Sequence, residues 1–387
     1  MNTKNIFIEI SFCNLSACQK FKFLIVVFCQ FEGSTIYLYQ LFLFMKKILF
    51  FFSSLALVGT TFIACNSEHS EQIRSAHGDV SIGGKVVVPG KAFKSLLPYS
   101  INDLASAQAA ANVLECLTKI STDGKVLPSL AESFESDTSN SSFKFVIRKG
   151  VFFHDDACFS GGKGRELNAA DVKYSLELLC SNSPNNSAFN SSLKNVILGA
   201  EEFFSGKSKE IEGVKLVDNN TILIKTLGPN EALPLILSGI QTAIVPKEAV
   251  ERYGDKATIG TGPFLVKSSD GAYKLVRNPN YYGKDALNNQ LPYLDEVEVK
   301  QIDLKSAEIE QLLKSELDVV FNLNKDVANQ VVKEHLKDFE ANGTFVMEST
   351  DEVANYDEFI IRKANLKGLK LNPDRTVFWA QVQKLSK

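Results

Sequence analysis

A mixed α/β fold is predicted by three observations: β-branched runs closed by turn residues, a strand-like alternation of apolar and polar side chains, and helical stripes, all interleaved with no internal repeat. Lys85-Val86-Val87-Val88 closed by Pro89-Gly90 reads as a strand and turn. The spacing of Ala109, Val113, Cys116 and Leu117 predicts a helix over 105–120, so the first unit is β then α. After the turn-prone run 137–142, Phe143, Phe145 and Ile147 alternate with Lys144, Val146 and Arg148, the pattern of a half-buried strand. Asn168 can cap the next helix by accepting from an orphan N–H. Asp171 falls in its first turn, where the helix dipole favours an acid, and Val172, Leu176 and Leu179 form its apolar stripe. Asp218-Asn219-Asn220 joins Val214–Val217 to Thr221–Lys225 as a hairpin, because Asn and Asp tolerate left-handed backbone.

Ahead of this region lies a leader. Met45-Lys46-Lys47, the apolar run Ile48 to Ala64 and then Cys65 have the charge and hydropathy profile of a secretory signal over 45–64. A retained membrane span competes, but the run carries Ser53 and Ser54 and has no basic flank after it. Met45 is the expected initiator, which makes 1–44, with its Phe-rich stretch and Cys13, Cys18 and Cys29, a spurious extension. Residues 65–82 are expected to be a polar, flexible tether.

The rest of the chain is long enough for one large or two modest domains, and 45% hydrophobic with 22% charged residues is an ordinary globular composition. A net charge of -3 without a basic stripe gives nucleic-acid binding no electrostatic support. The four histidines, His69, His77, His154 and His335, are too dispersed for a metal cluster. His154-Asp155-Asp156 lacks a second ligand at metal spacing, and neither a phosphate loop nor a G-x-S-x-G elbow occurs, so no catalytic residue, metal or cofactor is predicted. In an exported chain Cys158 and Cys180 could form a disulfide and leave Cys116 free. Spacing alone leaves three separate thiols equally open.

Gly260-Thr261-Gly262-Pro263-Phe264 suits either a close approach of backbones or a simple turn. In Arg277-Asn278-Pro279-Asn280-Tyr281-Tyr282 the tyrosine rings can cover a core edge while their hydroxyls stay wet.

These blocks occur in a recognisable order, from Leu127–Phe134 through Phe143–Asp156, Leu167–Glu177, Ile211–Val214, Val245-Pro246-Lys247 and Gly260–Phe264 to Arg277–Tyr282 and Leu291–Asp295. The sequence thereby resembles the extracellular solute-binding proteins of family 5, the oligopeptide- and dipeptide-binding lipoproteins of ABC importers. The resemblance implies a periplasmic-binding-protein-like (type II) two-lobe fold over 83–350, followed by a family-like C-terminal segment over 351–387. It also implies a peptide ligand, ABC permease subunits as partners, a place in the cell envelope, and no enzymatic activity. Phe62-Ile63-Ala64-Cys65 resembles a lipobox with Phe where Leu is usual, which would make Cys65 the lipid-attachment site.

In that family the segment after the first strand and the start of the next helix contribute to the ligand cleft. This marks Tyr99 and Asn102, and behind them Asn112 and Glu115, as candidates. The family's second lobe carries a Trp- and Asp-containing stretch for the ligand's amino terminus, whereas this chain has a single tryptophan, Trp379. Residues 354–373 resemble the family's extreme C-terminus, as a large internal deletion near Thr350 to Val353 would explain. A second lobe so reduced leaves three readings: a peptide-capturing receptor, a degenerate or structural lipoprotein that binds nothing, and an enzyme or a different carrier, for instance for a sugar or metal chelate.

Overall fold

The computed structural model describes residues 6–13, 20–27, 76–121, 124–184, 186, 188–267, 272–341, 344–349, 358–372 and 375–385. The expected signal, the expected lipid-attachment residue Cys65 and the proposed deletion point lie outside them. Two units are distinct, 1–73 and 74–387. In the first, β1 (Ile6–Cys13) and β2 (Lys20–Val27) pair antiparallel.

The first sheet of the second unit begins with β3 (Lys85–Gly90), whose apolar residues alternate as predicted. Helix α1 follows at Leu104–Val113, shorter than the expected 105–120. The chain turns instead into β4 (Thr118–Ile120), paired with β5 (Val126–Pro128), where the β-branched Thr118 and Ile120 prefer a ladder to a helix. β10 (Phe264–Lys267), β11 (Tyr273–Arg277) and β12 (Glu296–Gln301) complete the sheet in the order β10-β11-β12-β3. β12 and β3 run parallel, which a long crossover permits. Pro89 is tolerated because β3 is the sheet's edge.

A second sheet has the order β6-β7-β9-β8, from β6 (Ala131–Ser136), β7 (Ser142–Ile147), β8 (Val214–Asp218) and β9 (Thr221–Lys225). The predicted strand and hairpin both appear. Helix α2 (Ala169–Leu179) covers it with Val172, Leu176 and Leu179 buried, and Asn168 with Asp171 forms a reciprocal capping box. Short helices α3 (Ala188–Ser192), α4 (Ala200–Phe204), α5 (Leu233–Ile236) and α6 (Lys247–Tyr253) close this body.

The third sheet is small: β13 (Val319–Asn324), β15 (Glu358–Lys363) and β14 (Phe345–Ser349), in the order β13-β15-β14, with helices α7 (Lys305–Leu313) and α8 (Lys325–Glu334) against it. β14 and β15 are antiparallel neighbours, with Ser349 opposite Phe359. The last pair, β16 (Leu366–Lys367) and β17 (Gln383–Lys384), brings the C-terminal segment back to the first sheet, where Val377, Trp379 and Val382 join the core of β3, β12 and α1.

The expected tether is docked over its last residues. His77 N–H donates to Asn289 Oδ1 at 2.6 Å, Asn289 returns a bond to His77 O at 3.0 Å, and Val80 and Ile82 pack on Tyr281, Leu291 and Tyr293. Two partly buried apolar side chains and the hydrogen bonds of His77 and Ser81 seat it.

Candidate functional site

A cavity of about 460 Å³ opens where the first sheet meets the small third sheet. One wall is the end of β3 with the start of α1. Asp103 caps that helix, accepting from Ser106 N–H and Ser106 Oγ–H, each at 2.9 Å, so Leu104, Ala105 and Gln108 are held at the cavity. The floor is Tyr273 and Val299, with Phe93 edge-on to Tyr273 at 5.2 Å.

The opposite wall comes from β13 and α7. The β13–β15 register shifts between Val320 and Leu323, and Asn322 takes φ 55° there. Such an irregularity re-aims side chains. Phe321 and Asn322 reach the cavity, and Phe321 meets Trp379 edge-on at 6.4 Å. Lys305 Nζ binds Glu308 at 2.6 Å and Phe321 O at 3.0 Å, so this ion pair stands at the cavity with its geometry fixed. Leu371, Arg375, Val377 and Trp379 of the C-terminal segment close the remaining side.

None of the four candidates from sequence lies in this lining. Tyr99 is buried in the large body, its hydroxyl facing Asp255 Oδ1 at 3.4 Å, and burial raises its pKa. Asn102 is exposed beside Asp103. Asn112 is fully buried and donates to Gln108 O at 3.0 Å and Val377 O at 2.8 Å while accepting from Trp379 N–H at 2.8 Å. Asn112 lies one helical turn beyond Gln108 on α1, and Gln108, Phe321 and Trp379, which line the cavity, were not among the candidates singled out from sequence. The uniqueness of Trp379 was the available signal.

Glu115 belongs to a different node. Its carboxyl accepts from Thr261 Oγ at 2.8 Å, Tyr281 Oη at 3.1 Å and Tyr282 Oη at 2.9 Å. The tyrosine hydroxyls therefore serve this carboxyl rather than water, contrary to the expectation from their motif. Burial pushes the Glu115 pKa up to about 7, against the pull of the three hydroxyls.

The glycine-rich block beside it is a close approach and not a simple turn. A Cβ on Gly260 would stand 2.1 Å from Val113 O, and one on Gly262 would stand 2.7 Å from the same atom. His154 holds this loop, with Nε2 on Gly262 O at 2.8 Å and Nδ1 accepting from Gly260 N–H at 3.3 Å. Burial pushes its pKa down to about 4, so it is a neutral structural group.

The disulfide reading is corrected: Cys116, Cys158 and Cys180 are free thiols. Cys180 is buried at the C-terminus of α2, and Cys158 sits in a turn where its N–H donates to Asp156 Oδ1 at 2.8 Å, so each has its own packing and neither needs a bridge. Burial pushes all three thiols up to about 12. Among the described residues, no group of three or more His, Cys, Asp or Glu side chains could hold a metal ion, and no helix is long and apolar enough to cross a membrane.

Comparison with known proteins follows the same architecture. The family model for bacterial extracellular solute-binding proteins, family 5 Middle, matches residues 125–370. The glutathione-binding protein GsiB of Salmonella choleraesuis (strain SC-B67) is 30% identical over 186 residues, which is 47% of this chain and 32% of that protein. The periplasmic oligopeptide-binding protein OppA of Escherichia coli (strain K12) is 25% identical over 308 residues, 76% of this chain and 53% of that protein.

A solved structure of the periplasmic binding protein DppA from Helicobacter pylori, in complex with the peptide STSA, aligns with a TM-score of 0.57 at 22% identity. It covers 70% of this chain and 51% of that one. The chain thus spans about a third to a half of the length of these relatives. The fold is the mixed α/β type II periplasmic-binding-protein fold with an incomplete second lobe, as expected. With its matched blocks running through all three sheets, the chain belongs to the bacterial extracellular solute-binding proteins of family 5.

Proposed function

We propose that this chain captures short peptides in the cavity between the first and third sheets, as the substrate-binding partner of an ABC importer, held in the cell envelope by lipid on Cys65. The observation that carries the reading is the cavity itself. Its volume of about 460 Å³ falls in the range of small-molecule sites, and it combines apolar walls with a few fixed polar groups. The relatives named for peptide and glutathione binding support the ligand class.

Capture is expected to be weak. The chain covers 51% of the peptide-bound DppA structure, and a site with fewer walls loses contacts while the cost of immobilising the ligand stays the same. The same shortfall favours a second reading, a family member that folds without holding any ligand.

Native mass spectrometry of the chain, purified without denaturant and then mixed with tri-alanine, separates them. One tripeptide per chain supports capture; an empty chain at every peptide concentration supports the second reading.

A further inference from the structure

We propose that Gln108 and Asn112 are positioning residues of this cavity, acting through the C-terminal segment that carries Trp379; the functional part of this rests on the peptide-binding reading above. The two side chains stand one turn apart on α1 and so share a face. Gln108 donates from Nε2 to Val377 O at 3.0 Å and accepts from Val377 N–H at 2.9 Å, which is what a neighbouring strand would do. Asn112 repeats the pattern, with Nδ2 on Val377 O and Oδ1 on Trp379 N–H, both at 2.8 Å.

The helix has no unpaired backbone groups along its side with which to register an extended segment, so the two amides supply them. Register decides which way the indole faces. In an extended chain a slip of one residue turns every side chain to the other face. With the clamp set, Trp379 is 2% exposed, stands edge-on to Phe321 and closes the back of the cavity. Asn112, a candidate ligand contact by sequence, thus acts one residue removed from the ligand.

The chain has one tryptophan, so intrinsic fluorescence reads this wall directly. In Asn112→Ala, Trp379 emission is expected to shift to the red, acrylamide quenching to rise, and tri-alanine affinity to fall about tenfold with the far-ultraviolet circular dichroism unchanged. If Asn112→Ala does not fold, Gln108→Ala is read in its place, since it removes two of the four bonds and should loosen the segment, with a smaller red shift and rise in quenching. Emission and quenching that match the parent chain in the folded variant overturn the proposal. Should the parent chain bind no tri-alanine, the peptide reading fails, while a red shift and raised quenching in the variant still support the clamp.

Discussion

The large body around α2 and the small body around β13 are built to different standards. The first gathers 32 buried apolar residues in its cluster, from Leu97 to Ile259, and the second gathers eight, from Leu312 to Ile361, among the described residues. Hydrophobic stabilisation scales with apolar area removed from water, so the second body has far less with which to offset the entropy of ordering its backbone. Its attachment to the first sheet combines a few apolar side chains, Val319, Phe321 and Ile360, with a polar tie. Asp318 N–H donates to Val87 O at 2.8 Å, and the Asp318 carboxylate accepts from Val87 N–H at 2.8 Å and pairs with Lys363 at 2.9 Å and Lys384 at 3.0 Å. Burial alone would raise the Asp318 pKa, but these partners outweigh it and hold the carboxyl below the usual range. The difference teaches where the cavity is weakest: one wall belongs to the first sheet, and the opposite wall rides on a body with a small core of its own, joined to the first sheet by a few apolar side chains and the Asp318 hydrogen bonds to Val87.

The largest expected effect lies in the large body. Phe145 is fully buried on β7, and Phe145→Ala should lower its unfolding free energy by about 3–5 kcal/mol, read as a shifted urea midpoint. A loss well below 1 kcal/mol would mean that this body is not the stable one.

Asp318→Ala should be next, at about 3 kcal/mol, because it leaves Lys363 and Lys384 without their shared partner and Val87 N–H without its acceptor. The loss should be local. Hydrogen exchange is expected to quicken in β13 and β15 while β7 and β9 keep their protection; uniform quickening would show that the two bodies unfold together.

A smaller effect depends on pH and concerns the contact of the large body's 260–262 loop with the end of α1. The Glu115 pKa is raised by burial, so its stabilising contribution is present below its unfolded value near 4.5 and is lost as pH rises through about 7. The His154 pKa is depressed by burial, so its contribution is present above 6.5 and is lost as pH falls towards about 4. Between pH 5 and 6.5 the two slopes oppose each other. Glu115→Gln removes one of them, and the variant should gain about 2 kcal/mol on going from pH 5 to 6.5 while the parent chain stays nearly flat. Parallel pH profiles from urea unfolding would rule out the buried acid. Smallest of all, Glu310→Ala on the exposed face of α7 removes a solvated pair with Lys314 and should leave the urea midpoint unchanged.

The local elements were legible because their signals are local. The Asn168 capping box, the hairpin around Asn219 and the alternation in β7 each depend on residues within a few positions. The end of α1 was not, since Val113 is met by a loop about 150 residues away through Gly260 and Gly262. The cavity was not legible for the same reason. Asn112 and Trp379 are separated by 267 residues, and Asp318 meets Val87 across 231, so the pairs that shape the cavity leave no spacing pattern to read. Glu115 was a candidate through the family resemblance alone, and no local pattern announces the three hydroxyls that the fold brings to it.

The most direct measurement is hydrogen exchange of the chain with and without saturating tri-alanine. Binding in the cavity predicts slower exchange in β13 and in 377–382, the weaker wall and the segment that closes it, with β7 and β9 unchanged. No change at any tripeptide concentration, or protection confined to the large body, would contradict the cavity as the peptide site.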